Sequence, residues 1–212
     1  MSLSNVKPSA KEQGIGFLLV IASMLVMFRV PAVYFVPAAF ASTFCMIVVS
    51  LKLTRFSGLF KPTLRTLAFG VLSAAVLYAI FFAGNIGIRI VNVGIQPSSE
   101  GPIYSLISSH ALYVQILLLL FDALGFESYF RGVLQTHFLS TRKTKLGATS
   151  ALIPAFADAL IHVSTLNPLW VITTFIADFV WGLTYYYTKD LSSSVTSHFL
   201  WDVAIFIIAP IS

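Results

Sequence analysis

Residues 66–88 read TLAFGVLSAAVLYAIFFAGNIGI, and none of these twenty-three positions carries Asp, Glu, Lys or Arg. A helix rises about 1.5 Å per residue, so this stretch is long enough to cross the roughly 30 Å hydrocarbon core of a bilayer. An uncharged apolar run of this length is typical of a membrane-spanning helix. We therefore expect a protein whose helices are surrounded by lipid rather than by water.

The remainder of the chain has the same apolar character. Of its 212 residues, 58% are hydrophobic and only 10% are charged, and the mean hydropathy is +0.90. Soluble domains carry about 25% charged residues, so this composition excludes an ordinary soluble protein. We predict an all-α fold, a polytopic membrane helical bundle of about seven transmembrane helices. The seven apolar blocks are Gly14–Phe28, Pro31–Leu51, Thr66–Ile88, Ala111–Leu124, Leu146–Ser164, Leu169–Thr188 and Ser192–Ile211.

The thirteen basic residues lie in the connections between these blocks rather than on one polar face. If the N-terminus is cytoplasmic, only Arg29 and Arg89 fall outside, which is the asymmetry of the positive-inside rule. We therefore expect an integral membrane protein, in the plasma membrane of a prokaryote, with its C-terminus outside and no nucleic-acid partner. The residues predicted to be cytoplasmic are Lys7, Lys11, Lys52, Arg55, Lys61, Arg65, Arg131, Arg142, Lys143, Lys145 and Lys189.

The chain divides into three parts within one membrane domain. Residues 1–13 form a polar cytoplasmic tail, residues 14–110 the first membrane helices and an external loop from Arg89 to His110, and residues 111–212 a second half with polar spans. The basic, amphipathic connection Lys52–Arg65 is predicted to lie along the cytoplasmic headgroups. No internal repeat is visible, which counts against an inverted-repeat transporter.

In the second half of the chain, ionisable residues occur inside the apolar blocks or shortly after them. A charge at mid-bilayer costs about 2.5–3.5 kcal/mol, so five ionised carboxylates would cost more than a domain's usual stability. They must be protonated, paired, bound to a cation or exposed to a water-filled cavity. The residues are Asp122, Glu127, Arg131, Asp158, His162, Asp178, His198 and Asp202.

Three pairs among these residues have the i,i+4 spacing that places both side chains on one helix face. The pairs are Glu127 with Arg131, Asp158 with His162, and His198 with Asp202. They either neutralise one another within each helix or converge on a hydrolytic or metal site.

Peptide hydrolysis needs a base that activates water and donors for the developing oxyanion. Glu127 is a candidate base with Arg131 as its partner, His162 can hold the water, and His198 with Asp202 can orient the substrate carbonyl. His162 and His198 could also be metal ligands, and two histidines plus carboxylates would suit zinc or another divalent metal. The residues do not separate metal-assisted hydrolysis from catalysis with no metal.

The motifs resemble those of a known family. The run Phe126-Glu127-Ser128-Tyr129-Phe130-Arg131-Gly132 is similar to the E-E-x-x-x-R-G motif of the CAAX-protease and bacteriocin-processing (CPBP) intramembrane proteases. The family's F-x-x-x-H motif falls on Asp158 to His162. Its H-x-x-x-N or H-x-x-x-D motif falls on His198 to Asp202. The resemblance covers about Asp122 to Ile211.

This resemblance implies cleavage of membrane-embedded substrates in a cavity open to the cytoplasmic side, notably removal of the C-terminal tripeptide of prenylated CAAX proteins. The expected partners are the lipid bilayer and a membrane-associated or prenylated protein or peptide. The positions that match the motifs are Glu127, Arg131, His162, His198 and Asp202.

The chain departs from the family pattern at two positions. The first glutamate, taken in the family to activate water, is Phe126 here, and the aromatic residue of the second motif is Asp158. Glu127 can take over as base, although neighbouring helix positions point about 100° apart. Alternatively, Asp158 or Asp122 supplies the missing carboxylate.

Two functions other than proteolysis remain open at this point. A proteolytically inactive relative would keep the cavity for membrane scaffolding or bacteriocin self-immunity, and the motive for this alternative is Phe126. A proton-coupled transporter would account for the carboxylates in the membrane.

Overall fold

The computed structural model describes residues 9–54, 58–91, 101–140 and 147–210, and all regular structure within these ranges is helical. The α-helices are α1 (Ala10–Met27), α2 (Phe35–Leu53), α3 (Leu64–Val91), α4 (Gly101–Ser108), α5 (Leu112–Phe126), α6 (Thr136–Ser140), α7 (Leu152–His162), α8 (Pro168–Thr188) and α9 (Leu191–Val203). Two π-helical segments, Glu127–Gln135 and Ala204–Ile208, continue α5 and α9. Short 3-10 turns lie at Ala32–Tyr34, Gly147–Ala151 and Val163–Thr165.

Seven helical stretches in the described ranges are long and apolar enough to cross a membrane, which confirms the predicted fold class. The fourth stretch is longer than the apolar block suggested. It runs from Leu112 to Leu139 through α5, the π-helical segment and α6, whereas the block ends at Leu124. The polar residues that interrupt the hydropathy, among them Glu127 and Arg131, face the protein interior, so they do not end the helix.

The predicted external loop from Arg89 to His110 contains helical structure in its described parts, and its position outside the membrane stays a prediction. Helix α3 continues to Val91, and α4 occupies Gly101–Ser108. Ile107 explains the second helix, because its side chain is 5% exposed in an apolar cluster with Met27 and Leu118. An apolar anchor of this kind stabilises a short helix that would be marginal alone.

Several sequence predictions concern residues outside the described ranges. They are the first eight residues of the tail with Lys7, Arg55 and Phe56 of the predicted headgroup anchor, residues 92–100 of the predicted loop, the basic connection with Arg142, Lys143 and Lys145, the first residue of the fifth block, Leu146, and the last residue of the seventh, Ile211.

Helix α9 lies at the centre of the bundle and is packed most closely by α3. Asp190 caps its N-terminus, because its Oδ1 accepts the backbone N–H of Ser192 at 2.8 Å. The same carboxylate accepts the backbone N–H of Lys61 at 3.1 Å, which ties the start of α3 to the start of α9. Gly70 permits the close approach, since a Cβ there would lie 2.6 Å from the carbonyl oxygen of Ser193.

Hydroxyl groups connect α3, α8 and α9 away from the motifs. The Oγ of Ser73 lies 2.7 Å from the hydroxyl of Thr184 and 2.9 Å from that of Ser197. In lipid, helices associate through close packing and through polar contacts of this kind. The contacts therefore hold the three helices in a defined rotation about their axes.

The first half of the chain covers one side of the motif helices. Val20 and Met24 of α1 and Met46 of α2 are fully buried, and they pack in one cluster with Phe126 and Phe130. The helix pair α1 and α2 thus contributes walls to the region where the polar residues meet, although it carries none of the motifs.

Candidate active site

A cavity of about 120 Å³ opens between α1, α2, α5, α7, α8 and α9. Its walls are mainly apolar and aromatic. The spans that carry the three motifs each contribute ionisable groups to it, namely Asp122, Asp158, His162, His198 and Asp202. An apolar cavity with a few convergent polar groups is the usual form of a binding or active site.

The π-helical segment Glu127–Gln135 places its polar side chains towards the interior. Glu127, Arg131 and Gln135 are spaced by four and are all fully buried. Because π-helical hydrogen bonds join residues five apart, side chains spaced by four lie close to one line along the helix. Segments of this kind are rare and occur frequently at functional sites.

Arg131 forms ion pairs with two carboxylates. Its Nε lies 3.2 Å from Oε2 of Glu127, although the direction is not that of a hydrogen bond. One terminal nitrogen donates to a carboxylate oxygen of Asp178 and, at 2.6 Å, to the backbone carbonyl of the same residue. The arginine predicted as a partner of Glu127 therefore also joins the π-helical segment to α8.

His198 joins α9 to the π-helical segment from the cavity side. Its Nδ1 lies 2.9 Å from Oε1 of Glu127, and its ring stacks on Trp181 with the ring centres 3.7 Å apart. Its Nε2 lies 3.4 Å from Asp202 Oδ2 and 3.8 Å from Asp122 Oδ2. The predicted pair His198 and Asp202 thus gains two further carboxylates, from Glu127 and Asp122.

His162 and Asp158 occupy another wall of the cavity, on α7. The Nδ1 of His162 lies 3.0 Å from the backbone carbonyl of Asp158 and 3.4 Å from its Oδ1. A carbonyl oxygen only accepts hydrogen bonds, so Nδ1 carries a proton and a neutral ring has its free lone pair on Nε2. The rings of Phe28 and Trp170 flank the imidazole, with their centres 4.9 and 6.2 Å from its centre.

The donor atoms suited to a metal fall into one group within the described ranges. One ligand atom each from Asp122, His198 and Asp202 lies within 4.8 Å of the other two. His162 is not part of this group, so the predicted use of both histidines as ligands of one ion stays a prediction.

Phe126 lines the same cavity where the family has its first glutamate. Its side chain is 7% exposed, its ring centre lies 5.6 Å from that of Phe130, and it meets the ring of His198 edge-on at 6.0 Å. Both of the carboxylates proposed from the sequence as replacements, Asp122 and Asp158, also line the cavity. The missing glutamate therefore leaves a site that still presents carboxylates.

Negative groups outnumber positive ones in and around the cavity. Five carboxylates, those of Asp122, Glu127, Asp158, Asp178 and Asp202, face one arginine and two histidines. Even with both imidazoles protonated, two negative charges would lack a counter-charge. Uncompensated charge is costly in a low-dielectric interior, so the site must take up protons or a cation.

Two contacts of the site lie beyond what sequence reasoning identified. Trp181 stacks on His198, yet its sequence position resembles that of any tryptophan in a membrane span. Asp178 pairs with Arg131. The sequence indicated only that Asp178 lies in the middle of a span and outside the three motifs. Neither pairing follows from a spacing along one helix, because the partners come from different helices.

Comparison with known proteins agrees with the motif assignment. A model of the family described as type II CAAX prenyl endopeptidase Rce1-like matches residues 108–204. No curated protein and no solved structure matches the chain. The matched range begins with the last residue of α4 and contains all three motifs and their helices. Residues 108–204 of this chain are thus similar to the Rce1-like type II CAAX prenyl endopeptidase family.

Proposed function

We propose that the chain is an intramembrane endopeptidase that hydrolyses a peptide bond of a membrane-associated substrate, with the C-terminal segment of prenylated CAAX proteins as the substrate class. One observation carries the proposal. A cavity inside a membrane bundle presents two histidines from different helices, each beside carboxylates, in a domain of this family. The apolar and aromatic walls suit a peptide that carries a lipid group.

Asp158 and His162 are the groups that activate water in this proposal. Oδ1 of Asp158 has no hydrogen-bond partner and lies 3.4 Å from the histidine ring. Asp158 also lines the cavity beside His162, so it is the carboxylate to which we assign the proton of the water. Phe126 has no group that can do this chemistry.

Glu127 has a positioning role rather than the role of base. One of its oxygens lies 2.9 Å from Nδ1 of His198 and the other 3.2 Å from Nε of Arg131, and the side chain is not among those that line the cavity. A base must reach the water whose proton it removes. Glu127 instead orients His198, so that Nε2 faces the cavity beside Asp202 and the substrate carbonyl.

The test is cleavage of a prenylated CAAX peptide by the purified protein in liposomes. We expect Asp158→Asn and His162→Gln to lower kcat by about 10²–10⁴-fold, the usual contribution of general acid–base catalysis. His110→Gln is the matched control, because His110 lies between α4 and α5, does not line the cavity and should leave the rate unchanged. No cleavage by the wild type of several prenylated and unmodified peptides would refute the proposal.

A second candidate function is binding without cleavage, as in a scaffold or immunity protein. The observation in its favour is Phe126, which lines the cavity in place of the family's first glutamate. It predicts that the wild type retains the prenylated peptide at equilibrium and releases no product. Product formation that depends on His162 would exclude this alternative.

A further inference from the structure

We infer that Asp122, His198 and Asp202 together bind one divalent transition-metal ion, of the zinc or cobalt class, at the wall of the cavity formed by α5 and α9. Asp122 lies outside the motif positions, so this ligand set belongs to the chain's own sequence. It also differs from the pair of histidines that the sequence suggested.

The distances between the three donor atoms fit one ion. Bonds from zinc to nitrogen and oxygen are about 2.0–2.2 Å long, so two ligands at the tetrahedral angle lie roughly 3.4 Å apart. Nε2 of His198 lies 3.4 Å from Oδ2 of Asp202 and 3.8 Å from Oδ2 of Asp122. These separations are too long for hydrogen bonds. They suit a tetrahedral or slightly wider site with one position left open.

The second contact of His198 supports a metal independently of the two aspartates. Glu127 lies 2.9 Å from Nδ1, and a carboxylate can only receive that proton, so the lone pair of a neutral ring is on Nε2. Histidine ligands of metals usually donate their other N–H to a carboxylate or a carbonyl in this way. His198 is 4% exposed, and the free side of its ring faces the two aspartates.

The charges of the two carboxylates favour a cation at this position. Neither Asp122 nor Asp202 has a lysine or arginine as an ion-pair partner among the described residues, and Asp202 is 4% exposed. Two carboxylates beside a lone pair repel one another in a medium of low dielectric. A divalent ion would compensate both charges and use all three donors.

The ion would also solve a problem of the proposed peptidase, and this part of the inference rests on that function. Two carboxylates next to the substrate carbonyl oppose the negative charge that develops on its oxygen during attack by water. A cation bound between them would cancel their charge and would polarise the carbonyl as a Lewis acid. Asp158 and His162 remain available to take the proton of the water.

The test measures metal content without any substrate. The protein is purified in detergent with an affinity tag that contains no histidine, freed of metal, and titrated with Zn²⁺ or Co²⁺. We expect one ion per chain, and the visible absorption bands of four-coordinate Co²⁺. Asp122→Asn and Asp202→Asn should weaken binding at least as much as the roughly 10- to 100-fold loss that follows removal of an outer-shell partner.

Asp158→Asn is the matched control, because it makes the same change in the same cavity at a carboxylate outside the donor group. It should bind the ion as the wild type does, and size-exclusion chromatography should show each variant folded. The inference is overturned if the wild type binds neither ion, if Asp122→Asn binds as tightly as the wild type, or if Asp158→Asn loses the ion as fully as Asp122→Asn.

The experiments distinguish failure of the metal site from failure of the peptidase. Specific metal binding with no peptide cleavage would support the ion site and count against the peptidase. Cleavage that persists at full rate after complete removal of metal, in a protein that binds none, would refute the ion site and leave the peptidase standing.

Discussion

Arg131 is the residue on which the buried charges of the second half depend most. It contacts Glu127 within its own helical segment and Asp178 on α8, and all three side chains are fully buried. Through Glu127 it also acts on His198. A single guanidinium thus connects the π-helical segment to α8 and, through Glu127, to α9, because its fork of donors can serve several acceptors at once.

Arg131→Ala should destabilise the protein strongly, since it leaves the buried Asp178 without a counter-charge and Glu127 with His198 alone. Removing one partner of a buried pair costs about 3–5 kcal/mol. We expect a lower unfolding temperature in detergent and a smaller loss when Asp178→Asn is added to the same variant. Arg65→Ala is the control, because Arg65 is exposed and lies over the ring of Phe69. Equal unfolding temperatures for Arg131→Ala and the wild type would contradict the prediction.

At the scale of elements, the position of α9 decides where the last motif lies. This helix begins at a capping aspartate, carries four buried serines and packs against α3 through Gly70. Small residues allow membrane helices to approach closely, and hydroxyl groups add polar contacts. The packing of α3 on α9 therefore positions His198 and Asp202, although α3 itself contributes nothing to the cavity wall.

Gly70→Ala tests this packing with the smallest possible change. The new Cβ would meet the carbonyl oxygen of Ser193 at 2.6 Å and Cβ of Thr196 at 2.7 Å, so the helices must separate. We expect a loss of about 1–3 kcal/mol, the usual cost of overpacking, measured as a lower unfolding temperature. Gly84→Ala on the same helix meets nothing within 4 Å and should keep or raise stability. The prediction fails if Gly70→Ala is as stable as Gly84→Ala.

For the whole molecule, one contact between loops bears on the topology. The backbone N–H of Lys61, between α2 and α3, donates to Asp190, between α8 and α9. Both connections therefore lie at the same end of the bundle. Four candidate spans separate them along the chain, and an even number of crossings returns the chain to the side where it started.

The orientation itself is a prediction from the basic residues. In a Cys45→Ser background, Lys61→Cys should react with a membrane-impermeant maleimide only after the cells are opened. Ser109→Cys, in the connection between α4 and α5, should react on intact cells. These outcomes follow from the positive-inside rule with a cytoplasmic N-terminus. The reverse pattern of labelling would show that the bundle is inserted the other way round.

The sequence was informative wherever the structure depends on neighbours along the chain. The spans follow from apolar length, and the contacts of Arg131 with Glu127 and of His162 with Asp158 follow from i,i+4 spacing. The extension of the fourth span to Leu139 was missed, because hydropathy treats a buried polar residue as if it faced lipid. Helix α4 was missed because a single apolar anchor, Ile107, gives little periodic signal.

By itself the sequence determined that this is an all-helical membrane protein with a motif set of the CPBP type and a missing first glutamate. Only the tertiary structure decided which residues of different helices meet. Asp178 pairs with Arg131, and Glu127 contacts His198. Asp122 and Asp202 both lie near Nε2 of that histidine. The reason is physical. The lipid-facing and protein-facing sides of a membrane helix are both apolar, so local sequence does not encode its rotation. That rotation is set by close packing and polar contacts between helices distant in the chain.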